Sequence, residues 1–236
     1  LYGDCSLVAS GELPAAIVTG APDYWRQMRG VPPPRGHRLQ FYAVDLARGP
    51  DGEWRVLADY VRTPVGAGYA LENRLAMTRA TDDALGIVNF VRLAPFFADF
   101  RQGLAAVCAR PDPRIALLTQ GRYNQSYAEQ AHLARYLGIL LVEGQDLTVR
   151  EGQLYVRTIE GVKRVDGLWR RMGTDLLDPL AFDARSTIGV PDIFEAMRKG
   201  GLVIANWPGA GVLETPALAA FLPRLTGVMG WMKRHM

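Results

Sequence analysis

Two neighbouring arginines with acidic residues just after them form the most suggestive polar group in the sequence. Arg170 and Arg171 end the stretch "GLWRR", which has the pattern of a strand, and Asp175 and Asp178 follow in a predicted loop. Arginine binds phosphate and carboxylate groups through two parallel hydrogen bonds, so this group suits a phosphate or metal–phosphate site. The alternative is surface ion pairing, which is the commoner role of such residues.

A second polar group lies in "GRYNQSY", where Asn124 follows a buried apolar run and precedes a helix. Ligands of α/β folds bind beyond the carboxyl ends of strands, and a helix N-terminus favours anions. The competing interpretation is structural: Asn124 satisfies the turn, while Ser126 caps the helix and forms a capping box with Glu129. The sequence leaves both interpretations open.

Two glycine pairs, in "GAGYAL" and "GAGVLE", each supply two of the three glycines of a dinucleotide fingerprint. A simple turn is the commoner reason for such a pair, because glycine adopts positive φ at little cost. Neither pair by itself predicts a nucleotide site.

Composition excludes several classes of protein. The 236 residues are 49% hydrophobic and 22% charged, which is typical of an ordered globular chain. No apolar run is long enough for a membrane span, and the N-terminus lacks a secretory signal, so we expect a cytoplasmic protein. The net charge is only +3 and the arginines are scattered, so nucleic-acid binding is not predicted. The two cysteines and three histidines lack metal-ligand spacing.

The pattern of elements predicts an α/β fold with antiparallel additions. The Pro-Asp-Gly turn indicates a β-hairpin over residues 39–62, with Trp54, Val56, Ala58 and Tyr60 on one face. The next predicted elements are helices over 70–80 and 94–109, a β-α-β unit over 115–143 and a meander over 146–171. A helix in "GVPDIFEAMRKGG", a strand in "LVIAN" and a final helix in "TPALAAFLPRL" that begins at Thr215 and Pro216 follow.

These segments occur in an order that is familiar from one family. "PDGEWRVLADYVRTPVGAGYALENR", "LLTQGRYNQSYAEQAHLARYLG", "DGLWRRMGTDLLDPLAF" and "VIANWPGAGVLETPALAAFLP" together resemble the circularly permuted ATP-grasp type 2 proteins of bacteria, which are related to the glutathionylspermidine synthase class. The resemblance runs from about residue 2 to about residue 225. It implies an ATP-grasp-like region over 39–225, between a loop-rich segment 1–38 and a tail 226–236.

The resemblance implies an ATP-dependent carboxylate–amine ligase that acts through an acyl phosphate on a peptide-like or amine substrate. Its implied cofactors are ATP and Mg²⁺. The residues that match the family are Arg170, Arg171 and Asn124 as catalytic groups, Glu72, Asn73, Arg74, Asn206, Gly209 and Gly211 as cofactor-binding groups, and Asp45 and Asp59 as metal ligands. We also expect Arg170, Arg171, Asn124 and Asp59 to approach one cleft.

Departures from the family pattern support a second hypothesis. Members with an intact site have Glu-Asp-Asn where this chain has Ala58-Asp59-Tyr60, so two oxygen ligands are missing. The chain has only three lysines, Lys163, Lys199 and Lys233, although ATP-grasp sites typically hold phosphates with lysine. The alternative is a catalytically degenerate module that serves as a binding or assembly partner, with a partner chain or missing flanking segments completing the site. A plain structural domain is the third hypothesis.

Overall fold

The computed structural model describes residues 1–81 and 91–228, and the predicted tail 226–236 lies mostly outside them. The helices are α1 (Ser6–Ala9), α2 (Ala15–Thr19), α3 (Ala67–Ala80), α4 (Ala94–Val107), α5 (Tyr127–Leu137), α6 (Thr174–Leu177), α7 (Ile193–Arg198), α8 (Pro216–Ala219) and α9 (Leu222–Val228). The strands are β1 (Ala43–Arg48), β2 (Trp54–Tyr60), β3 (Ile115–Leu118), β4 (Leu140–Val142), β5 (Leu147–Arg150), β6 (Gln153–Thr158), β7 (Gly161–Val165), β8 (Gly167–Arg170) and β9 (Val203–Ala205). The mixed α/β class is as predicted.

The chain forms two compact units. Leu1–Arg62 and Asn206–Met236 make the first unit, and Thr63–Ala205 make the second. The first unit therefore joins the loop-rich N-terminal segment, the hairpin and the C-terminal helices. The boundaries at residues 38 and 225 stay predictions.

The hairpin of the first unit is antiparallel, as predicted, but its faces differ from the prediction. Asp45 pairs with Ala58, and the next pair is Leu46 with Val56, so Leu57 is an extra residue in β2. Such a bulge reverses the alternation of side chains along the strand. Val56 therefore lies on the face opposite Ala58, and the prediction that they share a face is wrong.

The second unit is built on a parallel sheet of order β4-β3-β8-β9. β3, α5 and β4 form the predicted β-α-β unit, with β3 and β4 parallel. All four residues of β3 are buried, which suits a strand covered on both faces. α4 supplies Phe97, Phe100 and Leu104 to this core, and Phe100 packs on the ring of Trp169 at 4.6 Å between centroids.

The predicted meander is shorter than expected. β5, β6 and β7 form an antiparallel three-stranded sheet, but β8 leaves it and pairs in parallel with β3 and β9. The physical reason is burial, because all four residues of β8 are buried, as a central parallel strand requires. The prediction that residues 167–171 belong to the meander is therefore wrong.

The last predicted helix is divided into α8 and α9. Pro223 is the second residue of α9, and proline lacks the N–H that a continuous helix would need there. Thr215 stands before α8 as predicted, but its side chain makes no capping hydrogen bond. Within the described ranges, no helix has the length and apolarity to cross a bilayer.

Candidate functional site at the carboxyl edge of the parallel sheet

The strands of the parallel sheet end in polar residues at one edge. Thr119 follows β3, Glu143 follows β4 and Arg171 follows β8. The backbone N–H of Arg171 donates to the Leu118 carbonyl at 2.8 Å, which extends the pairing of β8 with β3. This is the edge at which α/β proteins bind ligands.

A cleft of about 410 Å³ opens at this edge, and we call it the β3 cleft. Its lining residues are uncharged: Gln120, Tyr123, Asn124, Gln125, Ser126 and Ile188. The Tyr123 side chain is 88% exposed, and the Arg122 guanidinium lies 5.0 Å from its ring centre. The cleft therefore offers amide and hydroxyl groups together with one accessible aromatic ring.

Four buried or partly buried hydrogen bonds fix the turn that carries the cleft. The Thr119 hydroxyl donates to Gln130 Oε1 at 2.5 Å and accepts from the Gly121 N–H at 3.1 Å. Asn124 Oδ1 accepts from the Ser126 N–H at 2.9 Å and from Gln130 Nε2 at 3.3 Å. Asn124 thus satisfies the turn, as the structural interpretation proposed, and it also lines the β3 cleft.

Glu129 has a different role from the predicted capping box. Ser126 makes no side-chain cap, and the buried Glu129 Oε1 instead accepts from the N–H groups of Gly66 at 2.7 Å and Gly68 at 3.0 Å. These two glycines lie at the start of α3, where φ of Gly66 is 107°. The helix terminus that could have attracted an external anion therefore holds a carboxylate of the protein itself.

Arg171 is held by the same carboxylate. Its side chain is 1% exposed, its Nη2 lies 3.7 Å from Glu129 Oε2, and its Nη1 donates to the Pro64 carbonyl. The guanidinium also stands 5.2 Å from the Trp169 ring centre. Burial lowers the pKa of Arg171, and the charge of Glu129 opposes that shift. We name this group, formed by Glu129, Arg171, Gly66 and Gly68, the Glu129 latch.

Arg170 and Asp178, two members of the predicted polar group, both bond to backbone groups. Arg170 is buried and donates from Nη1 to the Met172 carbonyl at 2.7 Å. Asp178 is also buried, and its two carboxylate oxygens accept from the N–H groups of Leu180 at 2.9 Å and Phe194 at 3.0 Å. The Asp178 carboxylate therefore holds its own loop to the start of α7.

The α3 residues that the resemblance assigns to ATP lie on the outer part of the helix. Glu72 and Asn73 are exposed and Arg74 is half-buried. Glu72 lies 4.0 Å from Arg79 and 3.7 Å from His132 Nε2. Their role toward ATP stays a prediction.

Asn206, in the first unit, is the most completely satisfied of the assigned residues. It is 2% exposed, and its Oδ1 accepts from the N–H groups of Gln40 at 2.7 Å and Phe41 at 2.9 Å. Its Nδ2 donates to the carbonyls of Phe41 at 2.5 Å and Val61 at 2.6 Å. Asn206 thus ties the two ends of the hairpin together.

Gly209 and Gly211 are required by packing. A Cβ on Gly209, where φ is 88°, would lie 2.5 Å from the Tyr2 hydroxyl, and one on Gly211 would lie 2.8 Å from Asp23 Cγ. Close approach therefore explains both glycines of this pair without a ligand.

Replacing Gly209 with alanine should lower the free energy of unfolding by about 2 kcal/mol or more, through left-handed backbone strain and the clash with Tyr2. Chemical denaturation of wild type and variant measures the change. Gly103→Ala is the control, because a Cβ there meets nothing within 4 Å, and this change should stabilise α4 by about 0.5–1 kcal/mol. Equal stability of Gly209→Ala and wild type would contradict the packing explanation.

The environment of the Tyr2 hydroxyl predicts that the protein loses stability at alkaline pH. Its hydroxyl donates toward the carbonyls of Gly209 at 3.1 Å and Asp23 at 3.2 Å, and burial raises its pKa from 10.0 to about 12. The stabilisation is present below pH 10 and should disappear as the pH rises from 10 to about 12. Urea midpoints across this range should fall more steeply for wild type than for Tyr2→Phe, which has no phenol to ionise. If the urea midpoints of the two proteins fell equally with pH, this role of Tyr2 would be refuted.

The two carboxylates assigned to metal lie on opposite faces of the hairpin. Asp45 pairs with Ala58, whereas Asp59 pairs with Val44. Asp45 accepts from the Tyr60 hydroxyl at 2.7 Å, and Asp59 accepts from the Tyr42 hydroxyl. Since neighbouring residues of a strand point to opposite faces, the two carboxylates cannot jointly hold one ion.

The comparison that decides the family covers almost the whole chain. Residues 1–230 match the family model described as circularly permuted ATP-grasp type 2. The chain belongs to this family. At the coarse level, ATP-grasp families are ATP-dependent ligases.

Relatives of this circularly permuted ATP-grasp chain are longer proteins. It is 38% identical over 228 residues to an uncharacterized protein of Mycobacterium tuberculosis, with 96% of the chain and 26% of that relative covered. A second uncharacterized M. tuberculosis protein is 35% identical, with 95% and 41% covered. One from Synechocystis sp. is 35% identical, with 95% and 47% covered. The chain thus spans less than half the length of these relatives.

Three of the residues assigned to Mg²⁺ and ATP, namely Asp45, Asp59 and Asn206, fit those ligands poorly in this ATP-grasp chain. Mg²⁺ needs oxygen ligands in near-octahedral geometry, and Asp45 and Asp59 face opposite ways. The amide of Asn206 is fully used by backbone groups. Within residues 1–81 and 91–228 there is no cluster of three or more His, Cys, Asp or Glu side chains that could hold a metal ion.

Within the second unit, Asn124 lines the β3 cleft, while Arg170 and Arg171 are buried at the end of β8. Asp59 belongs to the first unit, so its approach to one cleft with these residues stays a prediction.

The sequence prediction did not include Glu129 among the site residues, because the pattern S-x-x-E also fits a capping box. Helical periodicity could have indicated that Glu129 is buried, since it shares one face of α5 with Leu133 and Leu137.

Proposed function

We propose that this chain is the part of an ATP-dependent carboxylate–amine ligase that binds a peptide-like substrate, and that it does not itself hold Mg²⁺–ATP. The observation that carries the proposal is the β3 cleft, whose lining side chains are uncharged and, apart from Ile188, polar. Primary amides both donate and accept hydrogen bonds, which matches the N–H and C=O groups of a peptide. A site for phosphates would instead present arginine, lysine or clustered backbone N–H groups.

The Glu129 latch supports the second part of the proposal. Arg171 and the start of α3 would be the natural phosphate-binding groups of the second unit, and both are occupied by one internal carboxylate. Opening them to ATP would leave Glu129 buried beside a polyanion. On this proposal, another chain or further segments of a longer protein hold the nucleotide and complete the ligase.

The complete ligase is the second candidate, and membership of an ATP-grasp family favours it. On that proposal the chain binds Mg²⁺–ATP, phosphorylates a carboxylate and transfers the acyl group to an amine. The two proposals differ in whether this chain alone binds and turns over ATP.

Two titrations test the proposals. The first titration adds a neutral tripeptide with blocked termini to the chain and follows the chemical shifts of the chain by NMR. We expect shifts confined to residues 120–126 and at least about tenfold weaker binding for Gln125→Ala, an exposed residue of the cleft, because its amide contributes hydrogen bonds. Asn73→Ala, on α3, is the matched control. No shift at millimolar tripeptide would reject the peptide site.

The second titration adds Mg²⁺–ATP to the chain. Calorimetry measures its binding, and an ADP-release assay measures its turnover. The proposal expects no ATP turnover by the isolated chain. Saturable binding with release of ADP would overturn it in favour of the complete ligase.

A further inference from the structure

A basic cleft lies at the opposite end of the parallel sheet, at the amino ends of β3 and β4. Its volume is about 400 Å³, and we call it the amino-edge cleft. Three arginines and one acid carry its charge: Arg101 from α4, and Arg110, Asp112 and Arg114 from the connection to β3. The cleft is therefore net positive, in contrast to the uncharged β3 cleft.

Internal ion pairs account for only part of this charge. The buried Asp166 pairs with Arg110 at 3.3 Å and with Arg164 at 3.1 Å, so Arg110 is held by the fold. Arg114 donates from Nη1 to the Arg164 carbonyl at 2.9 Å, which leaves its charge without a counter-ion. Among the described residues, no ion pair within 4 Å joins a carboxylate to the guanidinium group of Arg101 or of Arg114.

Capping of the last carbonyls of α5 does not explain the positions of Arg101 and Arg114. Arginine often binds the last carbonyls of a helix, and α5 ends at this cleft with Gly138. Here the chain itself satisfies two of those carbonyls: the Ile139 N–H donates to Ala134 O at 3.0 Å and the Gly138 N–H to Arg135 O at 3.3 Å. The Arg101 guanidinium and the N–H groups of Arg114 that do not face the Arg164 carbonyl can therefore bind an external partner.

We propose that the amino-edge cleft binds a small organic anion through its phosphate or carboxylate groups. Arg101 and Arg114 supply the charge-assisted hydrogen bonds, and Ile139 and Leu140 line the cleft beside them. Asp112 opposes the anion and limits its affinity. The site lies at the other end of β3 from the β3 cleft.

Calorimetry with two probes, pyrophosphate and citrate, in Mg²⁺-free buffer of low ionic strength tests the site. We expect saturable binding of at least one probe, and the tighter probe identifies the phosphate or carboxylate class. Arg101→Gln and Arg114→Gln should each weaken binding at least about tenfold, because each removes a charged hydrogen-bond donor. Asp112→Asn should tighten binding several-fold, an effect that loss of folding cannot produce.

The matched control is Arg150→Gln, which removes an exposed arginine of the same unit outside the cleft. It should leave the affinity unchanged. Absence of saturable binding for both probes at millimolar concentration would overturn the proposal. An equal loss of affinity in Arg150→Gln and Arg101→Gln would also overturn it, because the binding would then reflect overall charge.

Discussion

Replacing Glu129 with alanine should lower the free energy of unfolding by about 3 to 5 kcal/mol, because the change leaves the Arg171 guanidinium buried without its counter-charge. The two N–H groups at the start of α3 would lose their acceptor in the same step. Denaturant unfolding followed by circular dichroism measures this loss. We expect it to be among the largest effects of any single substitution in the second unit.

Glu129→Gln separates charge from hydrogen bonding in the same position. The amide oxygen can still accept from Gly66 and Gly68, so this variant should retain part of the stability. Combining Glu129→Gln with Arg171→Met removes both charges, and the double variant should be more stable than the sum of the single effects predicts. Additive effects would show that the two side chains are not coupled and would contradict the Glu129 latch.

Asn206→Ala should destabilise the first unit by about 3 kcal/mol or more, because it removes four hydrogen bonds to the hairpin at once, three of them buried. Thermal or denaturant unfolding gives the magnitude. If Asn206 served ATP rather than the fold, the variant would keep the stability of wild type.

Asn206→Asp sharpens the test, since it preserves the acceptor and removes the donor. The new carboxylate would face the Phe41 and Val61 carbonyls, so the variant should be strongly destabilised near pH 7. Burial beside these carbonyls should raise the pKa of the new carboxyl above its ordinary value of about 3.9. Protonation restores one donor, so the gap to wild type should narrow as the pH falls from neutral towards about 4. Asn73→Ala, exposed on α3, should change stability by less than about 0.5 kcal/mol.

Local patterns located most elements of this fold, and the misplaced features have physical causes. The Pro-Asp-Gly turn located the hairpin, because proline, aspartate and glycine each favour that geometry. The bulge at Leu57 could not be foreseen, since no glycine or proline marks it. β8 was placed in the meander because it follows β7 directly, and its pairing with β3 depends on distant residues.

The candidate site was also predicted only in part, because some of its contacts are local in sequence and others join distant residues. The sequence indicated the carboxyl edge of the parallel sheet, and Asn124 does line a cleft there. It could not indicate that Arg171 and Asn206 are bonded to groups far along the chain, 107 residues away for Pro64 and 165 for Phe41. A match to a family motif therefore identified residues that hold the fold as readily as residues that face a ligand.

The position of β8 in the parallel sheet has a consequence for the order of folding. Asp166, just before β8, bonds to the Arg114 N–H from 52 residues further along the chain, and the antiparallel sheet of β5 to β7 is completed within that interval. Closing so long a loop costs chain entropy before any pairing repays it. We therefore expect the local β3–α5–β4 unit and the three-stranded sheet to form early and β8 to dock late. Because Arg171 follows β8 directly, we expect the Glu129 latch to close only after β8 has docked.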